Sequence, residues 1–226
     1  MSELEMKCKI VTFEEVHEMV GKIAEKIKRS GYQPDVIVGL ARGGWLPARL
    51  MCDFLAVTDL LSLKVEHWIQ TGRTKDEATV KYPLIADLSG KKILVVDDIA
   101  DTGKSLITAL KHLTENNKPK KLKTATMQYM SESKFKPDYY SEEVSVWTWF
   151  IYPWNWIEDT STLIIKMVTK NEVEMEKWDL TKIKETLKKR SDIEWNEQML
   201  SNILKNMLDR GQIEIMDEPT GRIYVI

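Results

Sequence analysis

Ile93-Leu94-Val95-Val96-Asp97-Asp98-Ile99-Ala100-Asp101-Thr102-Gly103-Lys104-Ser105 decides how this chain folds. Its first four residues are apolar and mostly β-branched, the pattern of a strand buried on both faces of a parallel sheet. Asp97 and Asp98 then bring two carboxylates to the strand end. A turn containing Gly103 leads into a helix whose start carries the hydroxyls of Thr102 and Ser105. The amides of a helix N-terminus cradle phosphate, and nearby hydroxyls add donors. Adjacent carboxylates suit a sugar diol, or a magnesium ion that takes one or two carboxylates plus waters. Gly103-Lys104-Ser105 also matches the tail of a P-loop, but that motif needs a glycine five residues earlier, where Asp98 stands. A chance strand-turn-helix with acidic caps is the bland alternative. Three aspartates in five residues at one turn repel one another, which favours a cation or polyol partner.

Outward from this stretch, strand and helix patterns alternate. Thr12-Phe13-Glu14-Glu15 reads as a capping box. The helix it opens carries Val16, Val20, Ile23 and Ile27 at three- and four-residue spacing and stops near Gly31. Residues 35–40 form a buried strand, followed by Arg42-Gly43-Gly44 and a helix over 45–55. A strand is expected over 60–69, a helix over 104–114 and a strand over 123–129. Residues 71–90 are polar and charged and read as a mobile loop, with Arg73, Lys75 and Lys81 available to a ligand. The order predicts an α/β, doubly wound, mainly parallel sheet with ligands at the carboxyl ends of its strands.

Composition shifts near residue 170, so two domains are expected, 1–170 and 171–226. In the second, helices are expected over 180–190 and 196–210, the latter with Met199, Ile203, Met207 and Leu208 as its apolar stripe and Gly211 as its cap. Residues 212–216 and 222–226 flank the turn Asp217-Glu218-Pro219-Thr220-Gly221. Helix, helix and hairpin make a small winged-helix-like domain.

The bulk properties set limits. The 226 residues are 43% hydrophobic and 30% charged, with a net charge of −2, which gives nucleic acid or an anionic membrane no hold. No apolar run approaches the roughly 18–20 residues of a membrane span, and the charged N-terminus does not resemble a secretory signal. The expected compartment is the cytoplasm. Cys8 and Cys52 are too few and too isolated for a disulfide framework or zinc site. His17, His67 and His112 have no ligand spacing.

Residues 93–105 resemble the phosphoribosyl pyrophosphate (PRPP) signature of the type I phosphoribosyltransferases. Over residues 10–160 the chain is similar to their 6-oxopurine branch, and its layout with a C-terminal extension resembles archaeal adenine phosphoribosyltransferases. Val38-Gly39-Leu40-Ala41-Arg42-Gly43-Gly44 looks like the pyrophosphate loop, which in the family has a non-proline cis peptide, here Ala41–Arg42. Phe135-Lys136-Pro137-Asp138-Tyr139-Tyr140 resembles the segment after the base-facing strand. Trp147-Thr148-Trp149-Phe150-Ile151-Tyr152-Pro153-Trp154-Asn155 looks like the base-covering segment.

The resemblance implies the following roles. Ala41, Arg42 and Gly43 line the pyrophosphate, and Arg42 helps catalysis. Asp97 and Asp98 hold the ribose hydroxyls and meet magnesium. Asp101 exchanges a proton with the purine, while Thr102, Gly103, Lys104 and Ser105 bind the 5′-phosphate. Trp149 stacks on the base and Phe150 offers its carbonyl. The partners implied are a purine, PRPP, pyrophosphate and the product nucleotide, with the working unit a homodimer.

Two positions depart from the branch. Met130 stands where a lysine donates to the purine 6-oxo group, and Asn155 replaces an acidic residue after Pro-Trp. A buried lysine rewards a carbonyl and penalises an exocyclic amine, so its loss points to adenine. A 6-oxopurine acceptor is the alternative, with Lys134 or Lys136 in place of the missing lysine. A DNA-binding regulator built on the same domain is a further alternative. From residue 171 on, nine basic residues face twelve acidic ones, against the phosphate neutralisation that DNA binding needs.

Overall fold

Six strands lie side by side in the main sheet of the computed structural model, which describes residues 6–68, 77–170, 178–218 and 221–225. In chain order the elements are β1 (Cys8–Ile10), α1 (Phe13–Arg29), β2 (Val36–Ala41), α2 (Trp45–Leu55), β3 (Leu60–Trp68), β4 (Glu77–Tyr82) and β5 (Lys92–Ala100). They continue with α3 (Lys104–Asn116), β6 (Lys121–Met130), β7 (Tyr139–Val144), β8 (Trp149–Ile151) and α4 (Trp156–Lys170). The last are α5 (Leu180–Ser191), α6 (Glu197–Asp209), β9 (Glu214–Glu218) and β10 (Gly221–Val225).

Contacts divide the chain into two compact units, 13–147 and 1–12 with 148–226. The first holds the sheet, in the order β4-β3-β2-β5-β6-β7. All pairings are parallel except β3 with β4. The mainly parallel α/β architecture expected from the alternating pattern is therefore present. Val36, Val38 and Leu40 of β2 join Ile93 and Val95 of β5 in a cluster with Leu106, Ala109 and Leu113 of α3. The intervening Ile37, Leu94 and Val96 are also buried, so both faces are covered and continuous apolar runs are what these strands require. Helix α1 buries Val16, Met19, Val20, Ile23, Ala24 and Ile27, with Glu14 and Glu15 in its first turn and Lys26, Lys28 and Arg29 in its last. That charge order complements the helix dipole. Each fully buried aliphatic side chain stabilises the fold by about 1.5–3 kcal/mol.

The stretch 71–90 is not one long loop. Residues 77–82 form β4, because alternating Ala78 and Val80 pack against the α3-side cluster. Leu88 is 4% exposed and its amide donates to Asn117 Oδ1 at 2.7 Å. Lys81 pairs with Glu66 at 2.9 Å; Arg73 and Lys75 lie outside the described residues.

The second unit pairs β1 with β8 in parallel and packs α4 with α5 and α6. Composition shifts at residue 170, but the packing does not divide there. Leu163, Ile164 and Met167 of α4 share one core with Ile183, Leu187, Leu200, Ile203 and Met207. Asp179 caps α5 by accepting from the Lys182 amide at 2.7 Å, and Asn196 caps α6 through the Met199 amide at 2.8 Å. Strands β9 and β10 form the expected hairpin. Trp178 bridges Tyr224, adding a short third strand position. Among the described residues, no helix is long and apolar enough to cross a membrane.

Candidate active site

Strands β2 and β5 run side by side in parallel, with Gly39 opposite Val96, so their carboxyl ends meet at one edge of the sheet. Immediately beyond β2, the Ala41–Arg42 peptide is cis, as the resemblance implies. The turn closes through the Gly44 amide to Leu40 O at 2.8 Å and the Trp45 amide to Arg42 O at 3.2 Å. The two glycines are there for space. A methyl group on Gly43 would come within 1.9 Å of Asp98 Oδ2, and one on Gly44 within 2.4 Å of Val96 O. The loop 41–44 thus lies directly against the carboxylates at the end of β5.

Asp97 and Asp98 each turn one oxygen back onto the chain. Asp97 Oδ1 accepts from the Asp98 amide at 3.0 Å, and Asp98 Oδ1 accepts from the Ile99 amide at 2.8 Å. Burial, and then the charge of Asp98, push the Asp97 carboxyl well above the usual carboxylate range. Two carboxylates this close repel one another when both are ionised, and a hard dication or a hydrogen-bonding diol would relieve that repulsion. Magnesium fits this donor set, since it is satisfied with one or two carboxylates and otherwise keeps waters and ligand oxygens. No cluster of three or more potential metal ligands occurs among the described residues.

The following turn is exposed at Asp101 and Thr102 and buried at Gly103. Gly103 has φ of 78°, in the left-handed region that glycine enters at no steric cost. It is also crowded: a methyl group would lie 2.5 Å from Phe135 Cβ and 2.9 Å from Ser133 Oγ. The Lys134 amide donates to Thr102 O at 3.3 Å, so residues 133–135 buttress the turn from the end of β6. Ser133 in that buttress has no mark in the sequence; only Gly103 hints at a close neighbour. Gly103 offers no side-chain cap to α3, and the Lys104 amide donates to Thr102 Oγ1 at 3.4 Å, so an anion placed at this helix start would meet Thr102 together with the first-turn backbone.

Met130 ends β6, is 5% exposed and pairs with Val144. Lys136, a candidate to stand in for a lysine at that place, lies over two tyrosines. Its ammonium lies 5.5 Å and 5.3 Å from the ring centroids of Tyr129 and Tyr140, and 3.7 Å from Glu143. Asp138 ties the segment after β6 to the strand's beginning. It accepts from the Thr124 amide at 2.8 Å, and pairs with Lys123.

The remaining candidates belong to the other unit. Trp149 is 42% exposed, more available to a flat ligand than a core tryptophan, whereas Phe150 is 8% exposed. Phe150, Tyr152 and Trp154 stack in succession, with centroids 6.3 Å and 4.9 Å apart. Asn155 precedes α4, and its carbonyl accepts from the Asp159 amide at 2.9 Å. It therefore occupies the N-cap position, where asparagine and aspartate serve equally well.

A family model described as a phosphoribosyl transferase domain matches residues 12–158. The chain is 27% identical to the xanthine-guanine phosphoribosyltransferase of Gluconobacter oxydans, over 73% of this chain and 92% of that one. It is 28% identical to the hypoxanthine-guanine phosphoribosyltransferase of Schizosaccharomyces pombe, over 69% and 94%. Among solved structures, it is similar to a purine phosphoribosyltransferase from Pyrococcus horikoshii, with a TM-score of 0.58, 28% identity and coverage of 66% and 95%.

Proposed function

This chain belongs to the phosphoribosyl transferase domain family, and on that premise we propose that it joins a 6-oxopurine base to the ribose 5-phosphate of PRPP, releasing pyrophosphate. The observation that carries this reading is the close approach of Gly43 to Asp98. It sets the loop 41–44 against Asp98, which supports reading the loop, the carboxylate pair and the start of α3 as the site of one small polyanionic sugar.

In this reading Arg42 and the Gly43 amide take the pyrophosphate, and Asp97 and Asp98 take the ribose diol. The amides and hydroxyls from Thr102 to Ser105, with Lys104, hold the 5′-phosphate. Fixing the sugar at both ends positions its C1 for attack, so much of the rate comes from orientation. Asp101, exposed beside this turn, accepts or returns a proton at the purine N7. Asp97 and Asp98 would hold magnesium, whose charge offsets that of the departing pyrophosphate. Trp149 supplies a stacking face for the base, and Phe150 a backbone carbonyl.

The 6-oxopurine acceptor is supported by the relatives, whose names carry guanine, hypoxanthine and xanthine. Adenine is the second reading, and Met130 favours it. An apolar side chain there offers no donor to a 6-oxo group, and Lys136 is engaged elsewhere. Steady-state rates with guanine, hypoxanthine, xanthine and adenine separate the two. An oxopurine as the fastest acceptor supports the first, adenine as the fastest supports the second, and no nucleotide from any base rejects both.

The order helix, bridging strand, helix, helix and hairpin over residues 156–225 supports a winged-helix-like reading of the C-terminal elements. Their acidic balance argues against duplex DNA as their partner.

A further inference from the structure

The family model ends at residue 158, yet the unit that carries Trp149 and Phe150 is only completed beyond it. Strand β8 is three residues long, and its parallel partner β1 is equally short. A two-strand pair of that length does not hold its shape alone in water. Three sets of contacts supply what it lacks. The Trp149 amide donates to Lys7 O at 2.8 Å, and the Val11 amide donates to Ile151 O at 3.0 Å. The Met6 amide in turn donates to Arg190 O at the end of α5, at 3.3 Å. On the other side, the Trp156 indole donates to Val11 O at 3.1 Å. Trp156 meets Trp195 edge-to-face at 5.5 Å, and the Trp195 indole donates to Thr160 Oγ1 at 3.0 Å. Cys8 and Ile151 lie in the same buried cluster as Trp195, Leu200, Ile203 and Met207.

The geometry points to the C-terminal helices as a positioning device for the base: Trp195, acting through Trp156 and Val11, fixes β8 and with it the stacking face of Trp149. This rests on the reading that Trp149 and Phe150 receive the purine. Trp156 and Trp195 touch no substrate in this account; they are positioning residues, and their substitution is read in the base and not in PRPP.

The test compares four variants of the full chain, Trp149→Ala among them as the control, using the purine that the unaltered protein turns over fastest. Trp195→Ala is expected to raise the base KM about tenfold and leave the PRPP KM within about twofold. Trp156→Phe keeps a six-membered aromatic ring but removes the indole N–H that donates to Val11, and is expected to raise the base KM about threefold. Trp195→Phe, which retains an aromatic contact with Trp156, restores most of what Trp195→Ala loses. Trp149→Ala is the control for the site itself and should raise the base KM by more than either. If Trp149→Ala raises the base KM while Trp195→Ala and Trp156→Phe do not, the positioning role is wrong and the base site stands. If Trp149→Ala has no effect, the base site is wrong and the inference falls with it. Where Trp195→Ala does not yield folded protein, Trp156→Phe decides alone. A parallel rise of both KM values in either variant is a general loss of structure and overturns the proposal.

Discussion

The sheet unit and the unit carrying Trp149 solve the same problem, holding polar and aromatic groups still, by opposite means. In the first, Asp97 through Ser105 follow one another along a strand, a turn and a helix start, and the rigid parallel sheet presents them at its edge. In the second, the exposed Trp149 stands on a three-residue strand that needs residues 6–11, α4 and the C-terminal helices to hold it. A site written largely in one stretch, with loop 41–44 and residues 133–135 packed against it, draws its support from a single unit. A site assembled from three distant segments depends on all of them. The contrast implies that phosphoribosyl handling is the more robust half of the reaction and base handling the more adjustable one.

Removing the carboxylate proposed to exchange a proton with the purine tests the contrast most severely. Asp101→Ala is expected to lower kcat by about 10²–10⁴-fold with little change in either KM. Gly43→Ala tests the same unit by steric means: its methyl group meets Asp98 Oδ2 at 1.9 Å, so the loop or the carboxylate must move. A displacement of that order is expected to cost about 10²-fold in kcat/KM for PRPP while base KM stays put. Equal losses for both substrates would break the division of labour. On the base side, Met130→Lys is expected to raise the preference for hypoxanthine over adenine about tenfold, measured as a ratio of kcat/KM values. An unchanged ratio would remove position 130 from base choice.

The smallest effect uses the cysteines, one in each unit. Burial, then the charge of Asp159, pushes the Cys8 thiol up to about 11, and burial also raises Cys52. At pH 8 roughly one Cys8 thiol in a thousand is ionised, so alkylation reports opening of the fold. Truncating Met207→Ala in the C-terminal core, at a cost of about 2–5 kcal/mol, should speed labelling of Cys8 and leave Cys52 unaffected. Equal acceleration of both would show that the units open together.

How much the sequence reveals follows the same division. The order strand, turn and helix at 93–105 is legible because strand pattern, turn glycine and helix start are all local signals, although β5 runs past both aspartates to Ala100. So are α5, α6 and the final hairpin, whose caps and turn residues mark their ends; α2 has no side-chain cap and ends on Ala56 in the left-handed region. The glycines at 43 and 44 are visible as letters, but not the reason for them, which is Asp98 and the Val96 carbonyl from the neighbouring strand. Strands β1 and β8 are three residues long and owe their form to each other across most of the chain, so no periodicity betrays them. Strand β4 is hidden in a charged stretch because it is an edge strand that needs few apolar positions. Helix α4 falls where the composition shifts, so the sequence suggests a boundary at 170 that packing does not respect. Asn155 reads as a base contact in the sequence, and only the start of α4 at Trp156 shows that it also stands at the N-cap position.

The central claim, that the Asp-rich turn of β5 drives phosphoribosyl transfer to a purine, is tested most directly by one assay. Unaltered protein and Asp101→Ala are each mixed with PRPP, magnesium and guanine, hypoxanthine, xanthine or adenine, and nucleotide and pyrophosphate are quantified together. The account predicts equimolar nucleotide and pyrophosphate from at least one purine, and a rate at least about 10²-fold lower in the variant. No nucleotide from any of the four bases, or an undiminished rate without Asp101, would contradict it.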